Sequence, residues 1–368
     1  MRFPEFTEEW KAEQLDNIAT LSKGIGISKE QLSEDGEPCI LYGELYTKYK
    51  SEIIKQVESK TDINGSKLKR SKANDVIIPC SGETAVDIAT ARCVPFDNIL
   101  FGGDLNVISL HQYDGAFMSY QLNGKRKYDI ARVAQGVSIV HLYGEHLKAI
   151  KTYNPTLPEQ QKIAKLLSLL DDRIDTQNKI IEKLQSLIKG LRVCCMQRVY
   201  GNNVYLSEIA QIYQPQTISS TELTEDGFLV YGVNGIIGKY KDYNHETEQI
   251  CITCRGNTCG MVNYTKPMSW ITGNAMVINT DKYQDKVCKR YLYHYLSAYN
   301  FNSIISGSGQ PQIVRTPLEK LKITLPTISE QKQKAIIFDK IQDKIDINHK
   351  VLNLYIGQKQ YLLRQMFI

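Results

Sequence analysis

The stretch PTLPEQQKIAKLLSLLDDRIDTQNKIIEKL, residues 155–184, returns at residues 326–355 as PTISEQKQKAIIFDKIQDKIDINHKVLNLY. The two copies align without a gap at an offset of 171 residues, and the alignment continues to the end of the chain. So many identities without a gap indicate an internal duplication. The identical pairs are Pro155/Pro326, Thr156/Thr327, Glu159/Glu330, Gln160/Gln331, Ala164/Ala335, Asp172/Asp343, Ile174/Ile345, Asp175/Asp346 and Lys179/Lys350.

Both copies are predicted to be long helices that pair as a coiled coil. Thr156 and Thr327 each follow a proline and precede an acidic residue by three positions, a helix-start signal. A sustained apolar period of 3.5 residues favours a coiled-coil pair, and about 40 residues give a rod of roughly 60 Å. The apolar positions are Ile163, Leu167, Leu170, Ile174, Ile181, Leu184, Ile188 and Leu191 in the first copy, and Phe338, Ile341, Ile345, Leu352, Tyr355 and Leu362 in the second.

One polar residue interrupts each apolar pattern, and the two interruptions are equivalent by the same offset. They are Gln177 and Asn348, near the middle of each predicted helix. In an antiparallel pair, equivalent central residues meet near the centre, so we predict that these two amides form a polar layer that fixes coiled-coil register. The alternative is that both residues are simply solvated.

The regions before the two helices also echo each other, though with more divergence. Runs of β-branched and aromatic residues bounded by Gly, Asn and Asp predict strands and turns in each. We therefore expect an α+β chain: two α/β domains, at 1–153 and 201–324, separated by an antiparallel pair of long coiled-coil helices at 154–200 and 325–368. The matching segments begin at Leu15/Leu206, Tyr42/Tyr231, Ile78/Ile252 and Gly103/Gly273.

Composition narrows the class of protein but not its function. Of 368 residues, 42% are hydrophobic and 23% are charged, as in ordinary soluble domains. There is no apolar run long enough to span a membrane and no signal peptide, so the nine cysteines are expected to be reduced thiols in a cytoplasm. A net charge of +5 permits contact with nucleic acid without demanding it.

A search for catalytic motifs finds none that is complete. The chain lacks a phosphate-binding G-x-x-x-x-G-K-[ST] loop, a full dinucleotide loop, the Pro-Pro-aromatic signature of amino-methyltransferases and a G-x-S-x-G elbow. A glutamate followed two positions later by a lysine, as in Glu9-Trp-Lys11, is too common a pattern to indicate a metal nuclease. We therefore expect no catalytic residue and no bound cofactor in this chain.

A zinc site is suggested by Cys251, Cys254 and Cys259, with His245 upstream, but the duplication argues against it. The matching positions in the first domain are Ile77, Cys80 and Ala85, so the same element is built there without a ligand set. Buried strand cysteines are the preferred interpretation, and no metal is expected.

The order of these motifs resembles the specificity subunit of Type I restriction–modification enzymes, and the resemblance covers essentially the whole chain. It rests on RFPEF at 2–6 with Trp10 and Leu15, on AQGVSIVHLYGEHLKAI at 134–150, and on the PT-x-x-EQ helix openings. The second domain departs from the first at 307–312, where GSGQPQ replaces GVSIVH.

The resemblance implies a role in DNA recognition rather than catalysis. Each variable domain would recognise one half of a bipartite, asymmetric site in double-stranded DNA, and the helices would form the spacer. Two modification subunits would dock on the chain and supply S-adenosylmethionine and adenine methylation. Restriction subunits, when present, would add ATP- and Mg-dependent translocation and cleavage.

Candidate DNA-binding residues follow from the loops in which the two domains differ, because base edges are read by loop side chains. Arg255 suits guanine, and glutamine or asparagine suits adenine. The alternative is that most of these are turn residues or solvated charges. The candidates are Tyr42, Glu44, Tyr46, Lys48, Ser81, Glu83, Thr84, Lys125, Arg126 and Lys127 in the first domain, and Tyr231, Asn234, Arg255, Asn257, Thr258, Gln310 and Gln312 in the second.

Two other functions remain compatible with the residues alone. One is a self-contained nuclease or methyltransferase with fused recognition domains, which the absent motifs disfavour. The other is a coiled-coil scaffold that binds protein and never DNA, which duplication alone would permit.

Overall fold

The structure is a computed structural model that describes residues 2–64, 67–197, 199–232, 235–307 and 309–367. The chain divides into two compact units, Met1–Asn178 with Lys350–Ile368, and Lys179–His349. Each unit therefore contains one globular domain together with about half of each long helix.

The first globular domain combines short strands with short helices. Its strands are β1 (Lys11–Gln14), β2 (Ala19–Lys23), β3 (Glu37–Ile40), β4 (Lys60–Thr61), β5 (Lys69–Arg70), β6 (Asp75–Pro79), β7 (Ser81–Gly82), β8 (Arg92–Val94), β9 (Leu100–Phe101), β10 (Leu105–Leu110), β11 (Val140–His141) and β12 (Lys151–Asn154). Its helices are α1 (Leu15–Ile18), α2 (Glu44–Thr47), α3 (Ala85–Ile88), α4 (Gly115–Asn123), α5 (Lys127–Val133) and α6 (Gly144–Lys148).

The central sheet of this domain has the order β2–β10–β6–β8 with antiparallel neighbours, and its strands β6 and β8 are buried along their whole length. Val76 and Ile78 pack on one side with residues of α1, α4 and α6, while Ile77 packs on the other with residues of β3 and β9. Alternation along β6 thus places successive apolar side chains in two separate cores. A second sheet, β4–β3–β9–β5, contains the parallel pair β3–β9.

The second globular domain repeats this topology. Its central sheet, β14–β20–β17–β18, matches β2–β10–β6–β8, and its parallel pair β15–β19 matches β3–β9. The elements are β13 (Asn202–Tyr205), β14 (Gln211–Tyr213), β15 (Phe228–Gly232), β16 (Gly235–Tyr240), β17 (Ile250–Thr253), β18 (Val262–Tyr264), β19 (Trp270–Ile271), β20 (Ala275–Asn279), β21 (Lys322–Leu325), α8 (Lys289–Ala298) and α9 (Arg315–Glu319).

The same alternation along β17 places successive side chains in two clusters of the second domain. Ile250 and Ile252 of β17 pack in a large cluster with residues of α8, whereas Cys251 packs with Tyr231 and Ile271 on the opposite face. The predicted duplication of the globular domains is therefore present in strand order as well as in sequence.

The two long helices are α7 (Leu157–Gln197) and α10 (Ile328–Met366). In the first unit Ile163 and Leu167 of α7 pack with Leu362 of α10, and Arg173 lies over the ring of Tyr355. As α7 advances from 163 to 173, its partner positions on α10 run backwards, so the helices pair antiparallel, as predicted.

In the second unit the later half of α7 packs on the first half of α10. Ile188 and its neighbour Leu184 contact Phe338 and Ile345. These are positions of the predicted 3.5-residue pattern, which is thus the pattern of the helix pairing.

The expected polar layer stays a prediction. Gln177 is buried, whereas Asn348 is partly exposed and its amide donates to the Lys344 carbonyl at 2.6 Å.

The two helix starts differ although their sequences match. At Thr327 the expected capping box forms: the Thr327 N–H donates to Glu330 Oε2 at 3.0 Å, and the Glu330 N–H donates to Thr327 Oγ1 at 3.3 Å. At the other start, Glu159 is fully buried and accepts two hydrogen bonds of 2.7 Å from the guanidinium of Arg2. Glu159, which the sequence predicted to cap the helix, therefore pairs with Arg2 of the N-terminal segment instead.

Polar contacts join each globular domain to the long helices within its own unit, and they are buried in the first unit and partly exposed in the second. In the first unit Lys359 of α10 contacts Glu52 at 2.5 Å and Asp171 of α7 at 2.6 Å. In the second unit Asp339 of α10 contacts Arg290 and His294 of α8, each at 2.8 Å.

Cys251 and Cys254 are buried, as predicted. Cys259 was also predicted to be a buried strand cysteine, but it lies in a turn and is partly exposed. Burial raises the pKa of the Cys251 and Cys254 thiols, that of Cys251 to about 12. Within the described ranges, no group of three or more His, Cys, Asp or Glu side chains could hold a metal ion. None of the helices described here is both long and apolar enough to cross a membrane.

Candidate nucleic-acid interface

The first domain has a small framework of backbone hydrogen bonds at the end of β6. The Cys80 N–H donates to the Asp104 carbonyl at 2.7 Å, and the Leu142 N–H donates to the Cys80 carbonyl at 2.8 Å. Gln135 and His141 exchange backbone hydrogen bonds of 2.8 and 2.6 Å, which close a hairpin over residues 135–141. These bonds fix the hairpin beside the start of β10.

The second domain repeats this framework bond for bond. The Cys254 N–H donates to the Asn274 carbonyl at 3.1 Å, and the Ile313 N–H donates to the Cys254 carbonyl at 3.0 Å. Ser306 and Gln312 exchange hydrogen bonds of 2.9 and 2.8 Å. The two hairpins, 135–141 and 306–312, are thus equivalent at the offset of 171 residues.

Each hairpin turns on a glycine that no other residue can easily replace. Gly136 and Gly307 have φ values of +118° and +90°. A Cβ on Gly136 would lie 2.1 Å from the Ile139 carbonyl oxygen, and one on Gly307 would lie 2.5 Å from that of Gln310. Both hairpins therefore have a glycine with positive φ at the equivalent position, directly after the first residue of the bridged pair.

In the first domain the framework opens onto a cavity of about 740 Å³. The hairpin tip stands beside it, with Val137 97% exposed. The Tyr46 hydroxyl donates to the Ser81 carbonyl at 3.2 Å, which joins α2 to β7 across the cavity wall. The lining residues are Tyr42, Gly43, Tyr46, Thr47, Ser81, Gly82, Glu83, Asp87, Asp104, Ser138, Ile139 and His141.

The structure therefore brings together four of the candidates predicted for this domain, Tyr42, Tyr46, Ser81 and Glu83. Thr84 follows directly, but it serves as the N-cap of α3, where its hydroxyl accepts from the Asp87 N–H at 3.1 Å.

Two candidates are buried structural residues, and their assignment to a DNA-binding surface is corrected here. Glu44 is 6% exposed and accepts the Leu41 N–H at 2.8 Å, with Lys48 paired to it at 2.7 Å. Tyr231 is 5% exposed, and its hydroxyl accepts the Lys266 N–H at 3.1 Å. Burial also raises the pKa of Tyr231. Lys48 remains partly exposed, but it neutralises Glu44 and donates to Ser59.

None of the basic residues 125–127 lines this cavity. Lys125 lines another one, together with Gln360 and Arg364 near the end of α10. Arg126 pairs with Asp129, and burial lowers the pKa of Lys127. These three cations are therefore not part of the face that carries Ser81 and Glu83.

In the second domain Arg255 and Gln312 are partners in an isolated bridge, and both side chains are exposed. Asn257 and Gln310 are exposed close by along the chain, while Thr258 is partly buried. The remaining candidate, Asn234, lies outside the described residues.

Several residues that line the cavity were not among the predicted candidates, and Asp104 and His141 are two of them. The signal was present, because Asp104 lies in a segment that matches the second domain and His141 lies opposite Gln312 in the duplicated hairpin.

Comparison with known proteins gives a consistent result. The sequence matches the family described as the Type I restriction modification DNA specificity domain twice, over residues 7–186 and 202–354. It is 31% identical over 147 residues to the Type I restriction enzyme EcoprrI specificity subunit of Escherichia coli, covering 39% of this chain and 36% of that protein. It is 24% identical over 405 residues to the MjaVIII specificity subunit of Methanocaldococcus jannaschii, covering 93% and 88%.

Solved structures show the same fold. The S subunit of a Type I restriction–modification system from M. genitalium superposes with a TM-score of 0.70 at 18% identity, covering 100% of this chain and 97% of that one. A chain from a study of complex assembly and conformational transition of the type I R-M system superposes with a TM-score of 0.58 at 14% identity, covering 98% and 97%. The repeated domains, the paired helices and the double family match lead to one conclusion: the chain belongs to the family of Type I restriction–modification specificity subunits, the DNA-recognition components of these systems and not their catalytic ones.

Proposed function

We propose that the two globular domains, at 1–153 and 201–324, each recognise one half of a bipartite, asymmetric DNA site. The observation that carries the proposal is the repeated framework around Cys80 and Cys254, in which the same backbone hydrogen bonds form in both domains while the side chains differ. A shared framework that carries different side chains suits two domains that both bind DNA but recognise different base sequences.

In this proposal the helical segments 154–200 and 325–368 separate the two domains and set the length of the unread gap between the half-sites. Phosphate contacts position each domain, and the exposed side chains read base edges. Such contacts release counterions, so affinity falls as salt concentration rises.

The chemistry belongs to partner proteins. Two modification subunits dock on the chain, bind S-adenosylmethionine and methylate adenine, and restriction subunits, where present, use ATP and Mg. The complex works in the cytoplasm, where the chromosome lies. The family match and the structural likeness to a chain from a type I R-M assembly support these partners.

The test is a genome-wide map of methylated adenine in cells with and without this gene. We expect one motif, consisting of two short half-sites and a fixed gap, to lose methylation when the gene is deleted. An unchanged map would overturn the proposal. Mg-dependent cleavage or S-adenosylmethionine binding by the isolated chain would favour a self-contained enzyme, and absence of salt-dependent DNA binding by the assembled complex would favour a protein scaffold.

A further inference from the structure

The duplicated framework allows the reading side chains of the two domains to be compared position by position. Ser81 pairs with His141 at the base of the first hairpin, as Arg255 pairs with Gln312 at the base of the second. Asp104 and Asn274 provide the equivalent carbonyls that close each framework. Two residues beyond Ser81 and Arg255 stand Glu83 and Asn257. The equivalent pairs are Ser81/Arg255, Glu83/Asn257, Asp104/Asn274 and His141/Gln312.

In the first domain these four side chains face one cavity and are dominated by hydrogen-bond acceptors. The carboxylates of Glu83 and Asp104 only accept when ionised, and the Ser81 hydroxyl is directed at Asp104 with an oxygen–oxygen distance of 3.4 Å. Among the described residues that line the cavity there is no lysine or arginine. Because a phosphate group needs cations or N–H donors, this wall is unsuited to the DNA backbone and suited to a group that donates hydrogen bonds.

In the second domain the same positions carry donors. The guanidinium of Arg255 only donates, and the amides of Asn257, Asn274 and Gln312 both donate and accept. Three of these four side chains are exposed, and Asn274 is partly exposed. The two carboxylates are thus exchanged for amides, and a guanidinium is added, on a framework with the same backbone hydrogen bonds. The local backbone differs at two positions, since Asp104 and Gly256 have positive φ values and their counterparts Asn274 and Gly82 do not.

We propose that these four pairs of positions determine which bases each domain selects, an inference that rests on the proposed function. The first domain selects a base that presents an amino group in the major groove, cytosine N4 or adenine N6, because carboxylates accept from these groups and repel backbone phosphates. The second domain selects guanine, whose O6 and N7 accept the two N–H groups of Arg255.

The experiment exchanges residues between the domains. The chain is assembled with its modification subunits and used to select duplexes from a library randomised at both half-sites. One variant combines Glu83→Asn with Asp104→Asn, which installs the residues of the second domain. The other is Arg255→Ser, which installs the residue of the first. Asn suits position 104, where φ is +58°, because Asn tolerates this left-handed conformation.

We expect the double variant to lose its preference for amino-bearing bases by roughly tenfold or more, in the first half-site only. Arg255→Ser should relax guanine selection in the second half-site only, by a similar factor. Glu145→Gln is the matched control, since Glu145 is an exposed carboxylate paired with Lys148 outside the cavity lining, and it should leave both half-sites unchanged.

Two outcomes would overturn the inference: unchanged motifs in both variants, or equal weakening of all sequences, which would make these residues phosphate contacts. Arg255 is exposed, so this variant decides the matter even if the double variant fails to fold. If the unaltered complex selects no bipartite motif, the proposed function fails instead, and the two failures are therefore distinguishable.

Discussion

Replacing Lys359 by methionine should strongly destabilise the first unit, because this lysine forms ion pairs with two buried carboxylates. Its Nζ lies 2.5 Å from Glu52 Oε2 and 2.6 Å from Asp171 Oδ1, and these two side chains are 9% and 4% exposed. Asp171 also accepts from the Tyr120 hydroxyl at 2.7 Å, so it cannot easily turn toward water. Breaking a buried ion pair from one side costs about 3–5 kcal/mol of unfolding free energy.

The same chain offers a matched control in Lys55, which also bridges two carboxylates. Lys55 contacts Asp172 at 2.7 Å and Asp175 at 2.6 Å, but its side chain is 41% exposed. Exposed ion pairs contribute about 0–1 kcal/mol, so Lys55→Met should cost several-fold less than Lys359→Met.

Urea unfolding followed by tryptophan fluorescence measures the difference. In a Trp270→Phe background, emission comes from Trp10, which packs against Phe117 and Phe367 in the first unit. Burial is the largest cause that raises the pKa of Glu52, so acid should protonate this carboxyl and reduce the defect of Lys359→Met. Equal losses for the Lys359 and Lys55 variants, or a loss below about 1 kcal/mol for Lys359→Met, would refute the assignment of a buried network.

Three further predictions concern other parts of the molecule. Burial lowers the pKa of His294. Because the unfolded chain then binds more protons than the folded one, the second unit should lose stability as pH falls below the ordinary histidine value of 6.5. The loss should be shallower in His294→Gln. Melting temperatures measured as a function of pH test this prediction, and the same slope in both proteins would contradict it. Gly136→Ala should destabilise the first unit by about 1 kcal/mol or more, because of the positive φ and the nearby carbonyl, whereas Gly26→Ala, with open space around its Cβ, should cost less in the same urea titration. In the native protein iodoacetamide should modify Cys194, which is exposed, well before Cys251, which is buried with a pKa of about 12; equal labelling would contradict this burial.

The sequence was sufficient to predict features that depend on local periodicity or on the internal duplication. The apolar period predicted the helix pair, and Ile163 and Ile188 are buried where that pattern places them. The duplicated segments around Cys80 and Cys254 pointed to equivalent frameworks, which the backbone hydrogen bonds confirm.

Long-range partnerships could not be predicted in this way. Thr156 and Glu159 have the spacing of a capping box, yet Glu159 pairs with Arg2, 157 residues away in sequence. Periodicity carries no information about such a contact. Glu44 was predicted to bind DNA, but the turn after Leu41 points its carboxylate back to the Leu41 N–H in a buried position.

The two ends of the chain meet in one apolar cluster. Phe3 and Trp10 from the beginning and Leu362 and Phe367 from the end pack together with Phe117. The beginning and the end of this chain therefore lie side by side within the first unit. Joining the ends through a short linker and opening the chain near Gly201 would give a circularly permuted protein. Its order would again be domain–helix–domain–helix, but it would begin with the second domain.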